Sequence, residues 1–164
     1  MAGNFIPYGR QLIDDEDVAA VERVLRGDWL TTGPVVDMFE SAFADFVGAN
    51  YGVAVSNGTA ALHLTMLACG IRPDDEVIVS SLTFAASANC ARYVGAKVVF
   101  ADVRPDSLTI DVSHVESLIT PRTRAIVAVD YGGLPCDLDE LLARNSAFLA
   151  TGNPLGGSGM NNGE

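Results

Sequence analysis

Two short segments of this chain carry residue types suited to holding an anion and a flat ring. The first is Ser56-Asn57-Gly58-Thr59-Ala60-Ala61, a turn that runs straight into a helical pattern. Gly58 permits close backbone approach, and the amides of Thr59 and Ala60 with the Thr59 hydroxyl suit a phosphate at the positive end of a helix. The same residues also serve a plainer purpose, with Ser56 or Asn57 capping the helix and Gly58 making the turn. The segment is neither G-x-G-x-x-G nor G-x-x-x-x-G-K-[ST], so dinucleotide and P-loop readings fall away. The second segment is Ser80-Ser81-Leu82-Thr83-Phe84-Ala85-Ala86-Ser87-Ala88-Asn89. Phe84 at a helix start suits stacking on a planar cofactor, or else ordinary core packing, and Thr83, Ser87 and Asn89 suit capping and lining that helix.

Other chemistries have little to work with. Nine of the ten basic residues are Arg, so any reaction needing a lysine must use Lys97. His63 and His114 are the only histidines, and neither has a partner at metal-ligand spacing, so no metal site is expected. Cys69, Cys90 and Cys136 form no C-x-x-C pair and sit among apolar residues, as packing thiols of a reduced protein do. The net charge of −11 repels phosphate backbones and anionic lipid, which argues against nucleic-acid and membrane-surface partners. No signal-like apolar run opens the chain and no stretch of about 18 apolar residues occurs, so a cytoplasmic location is expected.

The elements that must position these segments follow from periodicity. Acidic residues 14–17 precede Val18, Val21, Val24 and Leu25 at helical spacing, and Gly27 ends that helix. A second helix starts at Pro34, carries Val35, Phe39, Phe43 and Phe46 on one face, and stops at Gly48. From residue 51 the pattern changes to β-rich runs at 51–56, 76–80, 97–101 and 124–129, separated by helical stretches at 59–68, 84–93, 112–119 and 138–144. Such alternation predicts an α/β fold with a mostly parallel sheet and flanking helices. Residues 145–164 hold five glycines, four asparagines and one charge, so a disordered tail is expected there.

Several ordered motifs now carry a resemblance. Pro7-Tyr8-Gly9-Arg10-Gln11, Asp28-Trp29-Leu30-Thr31-Thr32-Gly33-Pro34, Phe39-Glu40, Asn57-Gly58-Thr59-Ala60-Ala61-Leu62-His63, Asp75-Glu76-Val77-Ile78 and Thr120-Pro121-Arg122-Thr123-Arg124-Ala125-Ile126 follow one another in order. Together they resemble the N-terminal part of the DegT/StrS family of sugar-nucleotide aminotransferases, over residues 5–144. The resemblance implies an incomplete large domain of the aspartate-aminotransferase-like, fold type I, pyridoxal 5'-phosphate-dependent transferase fold, spanning residues 1–144.

By that resemblance, Gly58, Thr59 and Ala60 contact the cofactor phosphate and Phe84 stacks on its pyridine ring. Tyr8, Leu30, Thr31, Thr32 and Gly33 approach the sugar nucleotide. The family consists of homodimers that move an amino group from glutamate to a nucleotide-linked keto sugar, for amino sugars of surface polysaccharide and glycan. Such an enzyme needs a lysine that bonds to the cofactor and a carboxylate on the pyridine nitrogen. In the family both lie beyond the part that this chain resembles. Lys97 opens a strand, at the end opposite the presumed cofactor turns, and is not expected to substitute; Asp130 falls at a strand end but in a different motif. No catalytic residue is therefore assigned, and a truncated product that is inactive by itself is expected. The alternative is a non-catalytic protein that binds sugar nucleotide or pairs with a full-length relative.

Overall fold

A computed structural model describes residues 11–144. The chain divides into two units, Met1–Ala54 and Val55–Glu164. The 145–164 tail expected above lies outside the described residues, as does Tyr8.

The first unit holds two helices, each with the terminal chemistry its sequence suggests. In α1 (Asp15–Leu25) the Asp14 carboxylate accepts from the amides of Glu16 and Asp17 at 2.9 and 3.1 Å, while Asp17 accepts from the Asp14 amide at 3.1 Å. This reciprocal cap satisfies donors that have no partner inside the helix. Helix α2 (Pro34–Val47) begins with proline at its first position and ends at Gly48, whose φ of 69° suits a residue without Cβ. Phe39 and Phe43 stack along α2 with ring centroids 6.0 Å apart. Ala44 is the only buried residue that either helix contributes.

The run at 51–56 is not a strand. A strand needs a neighbour to accept its ladder hydrogen bonds, and here the Ala54 amide donates instead to Glu40 Oε1 on α2, at 2.7 Å. Hydrophobic patterning alone does not supply the missing ladder.

The second unit is a three-layer α/β arrangement. Its strands β1 (Glu76–Ser80), β2 (Lys97–Ala101) and β3 (Thr123–Val127) form a parallel sheet in the order β2-β1-β3. All five residues of the central strand are buried, which explains its near-continuous apolar run. Val77 and Val79 pack with Met66 of α3 (Gly58–Ala68) and with Cys90 and Ala91 of α4 (Ala86–Tyr93). Ile78 points to the other face, where it joins Val112 and Val115 of α5 (Val112–Leu118) and Leu141 of α6 (Leu138–Arg144). One strand thus serves two cores by the period of 2 of its side chains. His63 meets Tyr93 edge-on at 5.3 Å and joins α3 to α4.

At the N-terminal edge of the sheet sits Glu76, 2% exposed. Its carboxylate accepts from Thr120 Oγ1 at 2.6 Å, Arg122 at 2.8 Å and Lys97 Nζ at 3.0 Å. The Thr120 hydroxyl and the Lys97 ammonium, joined by Arg122, outweigh burial and hold the carboxyl at about 2, well below its ordinary 4.5. A depressed folded pKa means that protons bind the unfolded chain first. The stabilisation is therefore complete above about pH 4.5 and is lost as pH falls from there through about 2. Glu76→Gln is expected to cost about 1–3 kcal/mol at neutral pH, the scale of hydrogen bonds to a charged group. In denaturant titrations from pH 7 to pH 2 the variant should also lose less stability than the parent across the acid range.

Candidate functional site

Open parallel sheets bind ligands beyond the C-terminal ends of their strands, where chain connections depart to opposite faces. Here that point lies at the C-terminal end of the central strand β1. The connection leaving β1 crosses through α4 on the Val77 and Val79 face, whereas its neighbours β2 and β3 lead on to α5 and α6 on the Ile78 face. Helices α3 and α4 both deliver the chain to the N-terminal edge, at β1 and β2 respectively. Their own N-termini therefore stand at the C-terminal edge, together with the turn that holds Phe84.

The start of α3 realises part of each reading made from sequence. Asn57 caps the helix, its Oδ1 accepting from the Ala60 amide at 2.9 Å, so the Ala60 donor is already used. The amides of Gly58 and Thr59, and the Thr59 hydroxyl, have no partner among the described residues. A Cβ added at Gly58 would meet nothing within 4 Å, and its φ is not of the left-handed kind. Neither packing nor backbone strain demands glycine there. The amides of Gly58 and Thr59, unpaired among the described residues, stand at a positive helix end of the kind that can hold a phosphate.

The β1 exit turn presents an aromatic face. Phe84 is 78% exposed, so it does not pack into the core formed by the described residues. The helix begins two residues after it, at Ala86, so Phe84 belongs to the turn. Thr83 Oγ1 donates to Ser87 Oγ at 2.7 Å and the Ser87 amide donates to the Phe84 carbonyl at 3.0 Å, which fixes the turn from both sides. Asn89 is half-buried on α4. Asp130, at the β3 exit, accepts from the Cys136 amide at 2.9 Å and so closes its own loop.

Lys97 is at the other end of the sheet. It opens β2 opposite Glu76 and pairs with that carboxylate. Four strand steps at ~3.3 Å put the C-terminal edge about 13 Å away, beyond the reach of a lysine side chain.

In the first unit, Leu30, Thr31 and Thr32 are exposed in a bend between α1 and α2. Thr32 has a φ of 47°, and a Cβ on Gly33 would lie 2.7 Å from Trp29 Cβ, so glycine is required by close approach. Beside this bend a concavity of about 350 Å³ is lined by Arg23, Val24, Trp29, Val35 and Met38 among others. Neither this concavity nor a larger one beside α1 is lined by Gly58 or Phe84.

The model of the DegT/DnrJ/EryC1/StrS aminotransferase family matches residues 11–147. The chain belongs to that family. It is 48% identical over 140 residues to the spore coat polysaccharide biosynthesis protein SpsC of Bacillus subtilis, covering 85% of this chain and 36% of that protein. The PLP form of a putative sugar aminotransferase from Streptococcus pneumoniae superposes with a TM-score of 0.82 at 29% identity, over 90% of this chain and 40% of that one. S. venezuelae DesV gives 0.77 at 38% identity, over 81% and 36%. This chain therefore spans somewhat more than a third of the length of these relatives, and its sheet is a partial match to the fold type I aminotransferase structures. Among the described residues no helix is long and apolar enough to cross a membrane.

Asn57→Ala is expected to lower stability by about 1 kcal/mol through loss of the cap, whereas Asn57→Asp keeps an acceptor and most of the stability. Urea unfolding of both variants measures the difference.

Proposed function

We propose that this chain contributes the phosphate cradle and the ring-stacking face of a pyridoxal-phosphate-dependent sugar aminotransferase site. The observation that carries the reading is the pair of amides at Gly58 and Thr59, unpartnered among the described residues, at the same sheet edge as the exposed Phe84. When bound, pyridoxal phosphate supplies an electron-withdrawing ring and the carbonyl carbon at which an amino group is exchanged. Gly58 and Thr59 would hold its phosphate, and Phe84 would cover one ring face and exclude water from it. Ala60 would act through its place in the helix, since its amide serves Asn57.

Membership of the family extends the proposal to the reaction. Glutamate is the amino donor, a nucleotide-linked keto sugar the acceptor, and the product an amino sugar for surface polysaccharide or glycan. Tyr8, Leu30, Thr31, Thr32 and Gly33 are assigned to the sugar nucleotide, and the working form is a homodimer. The covalent lysine is not supplied by this span. Its sole lysine is engaged with Glu76 at the far edge, so this span binds the cofactor without transferring amino groups by itself. That same lysine favours a second reading, a binding protein that holds sugar nucleotide or pairs with a longer relative.

Titration of the chain with pyridoxal phosphate, followed by ring absorbance, is expected to show reversible binding that inorganic phosphate competes away. Gly58→Val should weaken it about tenfold by filling the cradle, and Phe84→Ala should cost about 0.5–1.5 kcal/mol of stacking. Borohydride should leave no cofactor on the protein. A trapped adduct on Lys97 would overturn the role given to that residue, and binding untouched by Gly58→Val would overturn the cradle. If sugar nucleotide alone binds, the second reading stands.

A further inference from the structure

The N-terminal edge of the sheet gathers positive charge in a strongly acidic molecule. One close approach and two backbone hydrogen bonds bring its segments together. A Cβ on Gly95 would lie 3.1 Å from the Pro73 ring, the Lys97 amide donates to the Asp75 carbonyl at 2.8 Å, and the Glu76 amide donates to the Arg122 carbonyl at 2.8 Å. Arg72, Arg92, Lys97, Arg122 and Arg124 are thereby placed on one edge, five of the nine cationic side chains among the described residues. Only Asp74, Asp75 and Glu76 oppose them there. The remaining described residues carry four cations against seventeen carboxylates.

These cations are not used up by the edge itself. Arg72 and Arg92 are exposed and make no ion pair among the described residues. Lys97 and Arg122 share the single buried carboxylate of Glu76, yet their side chains remain 64% and 63% exposed. A lysine has three donors and an arginine five, so each keeps donors directed to solvent. Arg124 is spent on Asp75. The buried carboxylate thus pins two cations at fixed positions, which lowers the ordering cost of presenting them to a ligand.

We propose that this edge is a docking surface for a carboxylate-rich segment of a partner protein. Three concavities among the described residues are lined by residues away from this edge, and its exposed cations are spread along it as a rim. Its width is three strands, two spacings of ~4.8 Å or about 10 Å. A short run of Asp or Glu side chains fits within that width. An extended phosphodiester would pass beyond it onto acidic flanks, where its charges are repelled. The surface lies opposite the Gly58 and Phe84 edge, so the inference is independent of the cofactor reading.

The test uses the chain with fluorescein-labelled tetraglutamate, about 10 Å long when extended, and, in parallel, a decathymidylate strand, read by fluorescence anisotropy at low and at physiological ionic strength. Tetraglutamate is expected to bind saturably and more tightly than the oligonucleotide, with affinity falling as salt rises. Arg72→Glu with Arg92→Glu should weaken it about tenfold or more, as reversal of rim charges does. The milder Arg72→Gln with Arg92→Gln should weaken it less, and Arg23→Glu with Arg26→Glu on α1 should leave it unchanged. Absence of saturable tetraglutamate binding, equal loss in the edge and α1 variants, or preference for the oligonucleotide would each overturn the proposal.

Discussion

A buried carboxylate with three donors holds the three-stranded sheet together where its strands begin. Glu76 is the first residue of the central strand, Lys97 the first residue of β2, and Thr120 and Arg122 sit just before β3. One side chain therefore ties both neighbours to the centre. Burial of a charge is costly unless its lone pairs are filled, and here the Thr120 hydroxyl and two cations fill them. The pairing between Glu76 and Thr123 precedes a register irregularity at Glu76/Val77, so the cluster also marks where β3 falls into step.

This constraint divides the labour between the two ends of the sheet. The N-terminal edge fixes structure with charge, and in doing so it occupies the one lysine. At the C-terminal edge the polar groups of the turns satisfy one another by local bonds, Thr83 with Ser87 and Asp130 with Cys136, while leaving the first amides of α3 free. A ligand at the start of α3 would meet donors already oriented by the fold. The first unit follows a different logic. Two helices that bury only Ala44 cannot build a core of their own, and their apolar faces, Phe46 at 88% exposure among them, remain open surface in this span.

Much of this was legible in the residues because local chemistry and tertiary packing agree. Strands 76–80 and 97–101 and helix 138–144 stand where their patterns put them, and Pro34 and Gly48 bracket α2 as helix-start and helix-stop residues do. The run at 51–56 misled because apolar alternation reports burial preference and not the presence of a neighbour; Glu40 supplied the acceptor in its place. The helix written as 84–93 starts later because Phe84 is held in the turn. The Glu76 cluster went unassigned, although its signal was present: a carboxylate opening the apolar run Val77-Ile78-Val79 must find partners on burial, and Lys97 with the Thr120-x-Arg122 segment offered them.

The same reasoning explains why Lys97 cannot serve both ends. Moving its ammonium toward the C-terminal edge would require crossing the length of β2 and would strip a donor from a carboxylate that is 2% exposed. Glu76 would then have to gain a proton or water in a site built to hold it ionised, and the register of β1 with β2 would lose its anchor at the first pair. An amine that bonds to a cofactor must instead be deprotonated and free of such a partner. The residue chemistry that stabilises this sheet thus holds its lysine at the edge away from Gly58 and Thr59, and in the proposed site the amine would have to come from outside this cluster.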